Sequence, residues 1–302
     1  MEPFLTTGSP LVVLNPAANR GKMQQYRELA RQKAAREGAR YVETTRSGEA
    51  EELAKQAASE GCPVIVVGGD GSVHEVVNGL LASGRRVPLG IVGAGSGNDF
   101  AWNTLRLPRD PAQALERAFS GALVDVDAGQ VNGRYFANAF SVGLDADIAV
   151  AAQSLKRWPL MSGERLYYGA SLKQLLFGYQ RCPRLSFKLD ECEWVDMQRY
   201  VVLAVSNGPT YGGGFRINPT ADHTDGWFHI CAIRYIPLVR ALRLLPIVQR
   251  GEHASVAEAH FFQAKKVQIE SLLPVTIQMD GETSSARSYR AEVLAGVLQV
   301  RV

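Results

Sequence analysis

Residues 62–81, CPVIVVGGDGSVHEVVNGLL, constrain the chain more than any other stretch. Val64, Ile65, Val66 and Val67 form a short, β-branched apolar run, the composition of a strand buried on both faces. The run breaks into Gly68, Gly69, Asp70 and Gly71, where three glycines lack the Cβ that confines a backbone. Ser72 and Glu75 follow in the S-x-x-E spacing of a capping box, which predicts a helix start. Val73, Val76, Val77, Leu80 and Leu81 continue at helical spacing. Strand, glycine turn and helix N-terminus together aim unpaired N–H groups and the positive end of a helix dipole at one spot, which suits a phosphate. One glycine pair would read as an ordinary turn; three glycines around an acidic residue favour the phosphate site. Asp70 adds a requirement, because a carboxylate repels bound phosphate unless a divalent cation lies between. Hard oxygen ligands suit Mg2+.

The same residues carry a resemblance. Gly68, Gly69, Asp70, Gly71 and Ser72, followed by His74, Glu75, Val76, Val77, Asn78 and Gly79, resemble the nucleotide-binding signature of the diacylglycerol kinase and sphingosine kinase catalytic domain. The GGDGS core is shared with NAD kinases and phosphofructokinases, which are similar in fold. The resemblance implies ATP and Mg2+ as cofactors and a lipid hydroxyl as acceptor.

At 302 residues, two domains are the better expectation than one. The chain is 46% hydrophobic and 21% charged, the balance of a soluble globular protein. No apolar run approaches the roughly 18 residues of a spanning helix, and residues 1–16 lack the basic and apolar regions of a signal peptide. Cys62, Cys182, Cys192 and Cys231 are scattered without a C-x-x-C pair, which points to reduced thiols in a cytoplasmic protein. The net charge of +3 permits contact with anionic lipid or nucleotide and makes no case for nucleic acid. A P-loop, a G-x-S-x-G elbow and metal-spaced histidines are all missing.

Taken in order, residues 11–14 read as a first strand running into Asn15, Pro16, Ala17, Ala18, Asn19, Arg20, Gly21 and Lys22. This loop resembles the family's first nucleotide loop, N-P-x-S-G, with Ala18 in place of serine and the glycine displaced to Gly21. Solvated basic residues are the alternative. A helix over 23–36, a strand over 41–44 and a helix over 48–60 follow. Thr44 falls at the carboxyl edge of its strand, where α/β sheets bind ligands; the resemblance implies a nucleotide contact, and a turn hydroxyl is the alternative. A strand over 88–92 ends in Gly93, Ala94, Gly95, Ser96, Gly97, Asn98, Asp99, Phe100 and Ala101, which resembles G-T-x-N-D-F-A with Ser96 keeping the hydroxyl. It predicts a second wall of the same crevice, unless Asn98 and Asp99 only cap a helix. Asp110 and Pro111 then open a helix as N-cap and N1.

Beyond Val124 strands follow strands, over 184–189, 200–206, 227–233, 267–270, 275–279 and 297–302, with helical pieces near 166–177 and 239–248. Asp222 and Asp225 lie three apart in a turn. Such carboxylates form Asx turns; the resemblance instead implies a structural Mg2+ bound by Asp225 with neighbouring backbone carbonyls, which align here with Asp222 and Trp227. Val275, Ile277 and Met279 alternate as a half-buried strand that delivers Asp280 to its end. A strand-end D-G is a common hairpin turn, and the resemblance places the family's catalytic carboxylate in this D-G-E, at Asp280 or Glu282.

The expected fold is α/β plus β: a Rossmann-like parallel domain over 1–124 and a mostly antiparallel β-sandwich over 125–302, with the active site in the cleft between. The expected activity is ATP- and Mg2+-dependent phosphorylation of a lipid hydroxyl. A soluble small-molecule kinase similar to NAD kinase and a catalytically weak nucleotide-binding sensor are the alternatives. Without a spanning segment, the enzyme would meet its lipid as a peripheral protein at the inner face of the membrane; a homodimer is one assembly this leaves open. Residues 237–249, PLVRALRLLPIVQ, are the docking candidate through Arg240 and Arg243, and burial of their leucines in the second domain's core is the alternative.

Overall fold

The apolar runs read from the sequence become β1 (Leu11–Leu14), β3 (Val64–Gly68) and β4 (Pro88–Gly93), each buried at every position. With β2 (Arg40–Glu43) they form a parallel sheet in the order β2–β1–β3–β4. Four helices connect and cover it: α1 (Gln24–Arg36), α2 (Glu49–Ser59), α3 (Asp70–Ala82) and α4 (Pro111–Ser120). Ala30 and Ala34 of α1 and Ala114, Leu115 and Ala118 of α4 share a core with Val12, Leu14, Ile65, Val67 and Val92. Small residues let α2 and α3 approach closely. A Cβ at Gly79 would lie 3.0 Å from the Ala54 methyl. Asp110 caps α4 by accepting the Gln113 N–H at 2.9 Å, with Pro111 in the first turn, as the sequence predicts.

The structure, a computed structural model, describes residues 8–144, 146–147 and 178–302. They form two units, Met1–Ala128 with Ala295–Val302, and Gly129–Leu294. The first unit's strand order reverses between β1 and β3, and in doubly wound sheets such a switch point opens the ligand crevice at the strands' carboxyl ends. Residues 295–302 group with the first unit, because Gln299 and Val300 pair in parallel with Pro88 and Leu89 of β4.

In the second unit an antiparallel sheet runs β11 (Ala259–Ala264), β10 (Phe228–Arg234), β9 (Val195–Ser206), β7 (Ala139–Gly143), β12 (Lys266–Met279) and the part of β13 (Glu282–Arg301) up to residue 294. β8 (Arg184–Leu189) pairs with β9 and β12, and β5 (Leu123–Val131) with β6 (Arg134–Phe136). Aromatic side chains fill its core: Phe136 stacks on Phe228 at 5.6 Å between centroids and meets Phe140 edge-on at 5.3 Å. Each such pair contributes about 0.5–1.5 kcal/mol beyond area burial.

Three sequence expectations are modified here. Residues 267–279 form one strand, not two, with a bulge between Glu270 and Val275. Residues 239–248 belong to α5 (Leu238–Arg250), which continues through Pro246. Its Leu238, Leu242, Leu244 and Leu245 pack against Leu144, Tyr179, Cys182 and Ile236, and Arg240 pairs with Glu258 at 2.8 Å. The helix expected near 166–177 lies outside the described residues.

Candidate functional site

Asn15, directly after β1, and Ser72, in the first turn of α3 after β3, meet at the switch point. Asn15 Nδ2 donates to Ser72 Oγ at 2.9 Å, and the Asn15 N–H donates to the Val67 carbonyl at 3.0 Å. Asn15 Oδ1 also accepts the Ala17 N–H at 2.9 Å, and Ala18 packs against the core of the first unit. Asn19, Arg20 and Gly21 then adopt left-handed dihedrals in succession, with φ of 45°, 56° and 77°. Arg20 and Lys22 are exposed. Thr44 is buried at the end of β2, its N–H donating to the Leu14 carbonyl at 2.9 Å.

The capping-box expectation is corrected. α3 begins at Asp70 with Gly69 as N-cap, so no side chain caps it. Ser72 serves Asn15, and the Glu75 carboxylate accepts the N–H groups of Gly48 and Ala50 at 2.9 and 3.2 Å, capping α2. The Ser72 and Val73 N–H groups donate to the Gly69 carbonyl at 2.9 and 3.1 Å.

The two glycine loops interlock. A Cβ at Gly95 would lie 2.5 Å from Gly69 Cα, and one at Gly97 would lie 2.7 Å from Asp70 Oδ2. Asp70 Oδ2 accepts the Asn98 N–H at 2.7 Å, while Asn98 Oδ1 accepts the Gly95 N–H at 2.8 Å and its Nδ2 donates to the Gly95 carbonyl at 2.7 Å. Asn98 is buried with φ of 57°, a left-handed conformation that asparagine tolerates. It is a hub tying the loops together, a role its motif did not disclose. Ser96 is exposed at the loop's tip, and residues 99–104 form a wide π-type turn.

In the second unit Asp280 and Gly281 make the two-residue turn between β12 and β13, with φ of 46° and 94°. Asp280 Oδ2 accepts the Ala137 N–H at 2.7 Å, and Oδ1 accepts those of Asn138 and Ala139 at 3.1 and 3.0 Å. Its carboxylate is therefore turned into the fold. Glu282, two residues on, is exposed and has no side-chain partner among the described residues. Asn138 links this turn to the 207–210 segment, donating Nδ2–H to the Thr210 carbonyl at 2.7 Å and accepting the Asn207 N–H at 2.8 Å. Sequence reasoning missed Asn138, whose one local signal was its place between two apolar strands.

The Asp222–Asp225 turn is closed by its own side chains. Asp222 Oδ1 accepts the Thr224 hydroxyl at 2.7 Å and its N–H at 3.0 Å, and the hydroxyl bond holds the Asp222 carboxyl below the usual carboxylate range. Asp225 Oδ1 accepts the Trp227 N–H at 2.9 Å, and Oδ2 lies 2.9 Å from His229 Nε2.

Residues 9–131 match the diacylglycerol kinase catalytic domain, and residues 138–302 match the YegS C-terminal NAD kinase β-sandwich-like domain. The chain is 34% identical over 263 residues to a YegS-like lipid kinase of Chromohalobacter salexigens, covering 84% of this chain and 81% of that one. It is 28% identical over 278 residues to a diacylglycerol kinase of Bacillus subtilis, covering 90% and 88%. A solved diacylglycerol kinase structure from Bacillus anthracis superposes with a TM-score of 0.72 at 20% identity, covering 97% and 96%. An ATP-bound NAD kinase from Archaeoglobus fulgidus does so at 0.52 with 12% identity, covering 97% and 93%, a likeness of fold alone.

Proposed function

Because the chain belongs to the bacterial lipid kinases that join a diacylglycerol kinase catalytic domain to a YegS-type C-terminal domain, we propose that it transfers the γ-phosphoryl group of ATP to a hydroxyl of diacylglycerol or a closely related lipid. The observation that carries the donor half is the interlocked pair of glycine loops at the switch point, with an uncapped helix N-terminus between them. The phosphates lie against residues 68–72, with Asn15 and Ser72 fixing the gap between β1 and β3. Pro16, Ala17, Ala18, Asn19, Thr44 and Ser96 line the rest of the nucleotide's path. Backbone N–H groups suit this task because phosphoryl transfer asks the protein for positioning and charge stabilisation more than for covalent chemistry. Mg2+ that arrives with ATP would neutralise phosphate charge, and Asp70, held in the loop through Oδ2, is the carboxylate that would meet it.

Asp280 and Glu282 divide the remaining work. Asp280, accepting three backbone N–H groups, is a positioning residue that fixes the β12–β13 turn. Glu282 is the general base. Its exposed carboxylate takes the acceptor hydroxyl's proton as that oxygen bonds to the γ-phosphorus, the bridging bond to the β-phosphate breaks and ADP leaves.

The test is an acceptor panel: purified protein, Mg2+ and radiolabelled ATP with diacylglycerol, phosphatidylglycerol, a sphingoid base or NAD. Label in a lipid product is expected; label in NADP alone would replace this reading with that of a soluble NAD kinase.

A further inference from the structure

β12 leaves its ladder with β13 once. Glu270 pairs with Ser288 and Val275 with Ala286, so residues 271–274 of β12 oppose Arg287 alone. On its other side β12 stays with β8 as far as Ser271, which pairs with Leu185. The surplus residues must bow out of the sheet, and bulges of this kind re-aim side chains. The bow is braced at its base. The Ser271 hydroxyl donates to the Leu273 carbonyl. Tyr289 Oη donates to the Val275 carbonyl at 2.7 Å and accepts the Ala286 N–H at 2.6 Å. Val275 and Ala286 pack against the core, whereas Leu272 is 68% exposed and Leu273 72%, more than any other large apolar side chain described.

A single exposed leucine is ordinary surface. Here two adjacent ones stand on a braced bulge with a cation on each flanking strand. Arg184 opens β8 one residue before Leu185, and Arg287 faces the bulge from β13. Both are exposed, and neither has an ion pair among the described residues. The one carboxylate in the adjoining rows is Glu270, so the rim keeps a net positive charge.

We infer that the bulge at residues 271–274 docks on an anionic bilayer, with Leu272 and Leu273 entering the headgroup boundary and Arg184 and Arg287 against lipid phosphates. The inference rests on the lipid-acceptor reading above, which makes a bilayer surface the place where substrate is met. Charge complementarity selects the partner: apolar side chains rimmed by arginine suit reversible binding to an acidic membrane surface. The bulge belongs to the same β12–β13 hairpin that carries Glu282, so docking there sets that hairpin on the surface holding the acceptor. α5 is the competing surface, with Val239 62% exposed and Arg243 exposed, and it forms an arm of the test.

Sedimentation of the full chain with vesicles, without nucleotide, measures docking apart from phosphoryl transfer. The vesicles are phosphatidylcholine alone, or equal parts phosphatidylcholine and phosphatidylglycerol. Binding is expected to the second kind, weakening as salt rises. Leu272→Ser with Leu273→Ser should weaken it by about tenfold or more. Arg184→Gln and Arg287→Gln should each cost about fivefold, the equivalent of about 1 kcal/mol per basic residue. These side chains are exposed, so melting temperatures should stay within about 2 °C of wild type. Turnover of a short-chain diacylglycerol in detergent micelles should be unchanged in every variant. Wild-type protein that ignores anionic vesicles, or a double leucine variant that binds them as wild type does, would overturn the inference. So would a loss of binding confined to Arg240→Glu with Arg243→Glu, which would give the docking to α5. Docking that needs the two leucines in a protein that phosphorylates no lipid would uphold this surface and refute the kinase reading instead.

Discussion

The carboxylate of Asp70 accepts the backbone N–H of Asn98 at 2.7 Å, so the acidic residue of the first glycine loop is also the fastener of the second. Replacing Asp70 with asparagine keeps an acceptor but removes the charge that the proposed function sets against the nucleotide's cation. Calorimetric Mg·ATP affinity should fall by about tenfold or more, in line with the roughly 1.5–3 kcal/mol of a hydrogen bond to a charged group. Unchanged affinity would show that the phosphates lie elsewhere. Gly69→Val, which looks from the sequence like a clean steric probe of phosphate binding, is a poorer choice. Its Cβ would lie 3.1 Å from Gly95 Cα and press on the second loop even without nucleotide.

Glu75 serves a neighbouring helix rather than its own, and its loss should appear in stability. Glu75→Ala leaves the Gly48 and Ala50 N–H groups without their acceptor. A cost of about 0.5–2 kcal/mol is expected, read as a lower denaturation midpoint in urea. A midpoint identical to wild type would argue that water satisfies α2 equally well.

The two carboxylates of the β12–β13 turn should separate by phenotype. Glu282→Gln should lower turnover by about 10²–10⁴-fold with melting temperature and ATP affinity intact. Asp280→Ala strands the N–H groups of Ala137, Asn138 and Ala139, so it should destabilise by about 1–3 kcal/mol as well as slow turnover. Wild-type turnover in Glu282→Gln would move the base to another residue.

Most of the first unit was legible because its signals are local. Val64–Gly68 is a buried run that ends in glycine, and Asp110 with Pro111 opens α4 as their types dictate. What was hidden depended on partners distant in sequence. Nothing about Glu75 names Gly48 as its recipient, and a capping box in its own helix is the better local guess. The first half of β13 was missed because Thr283, Ser284, Ser285, Arg287 and Ser288 show no apolar alternation. That stretch is a strand because β12 supplies its ladder. Asp280 was read as a carboxylate at a strand end, but its three N–H donors come from residues more than a hundred positions earlier.

His253 provides a pH test. It is buried with Nε2 3.0 Å from the Ile217 carbonyl oxygen, and burial pushes its pKa below the ordinary imidazole value. The unfolded chain therefore takes up a proton more readily than the folded one. From this residue, stability is unaffected above the unfolded-state pKa of about 6.5 and falls as pH drops from there toward the lower folded value. Melting temperature between about pH 8 and pH 5.5 should decline more steeply in the wild type than in His253→Asn. Equal slopes would contradict this assignment.

The central claim is transfer of phosphate to lipid, and the most direct measurement is product formation from diacylglycerol in mixed micelles with γ-labelled ATP. The account predicts labelled phosphatidic acid that appears with Mg2+, disappears in EDTA and is lost in Glu282→Gln. No labelled lipid from folded protein that binds Mg·ATP, across diacylglycerol and the related lipid acceptors, would contradict it.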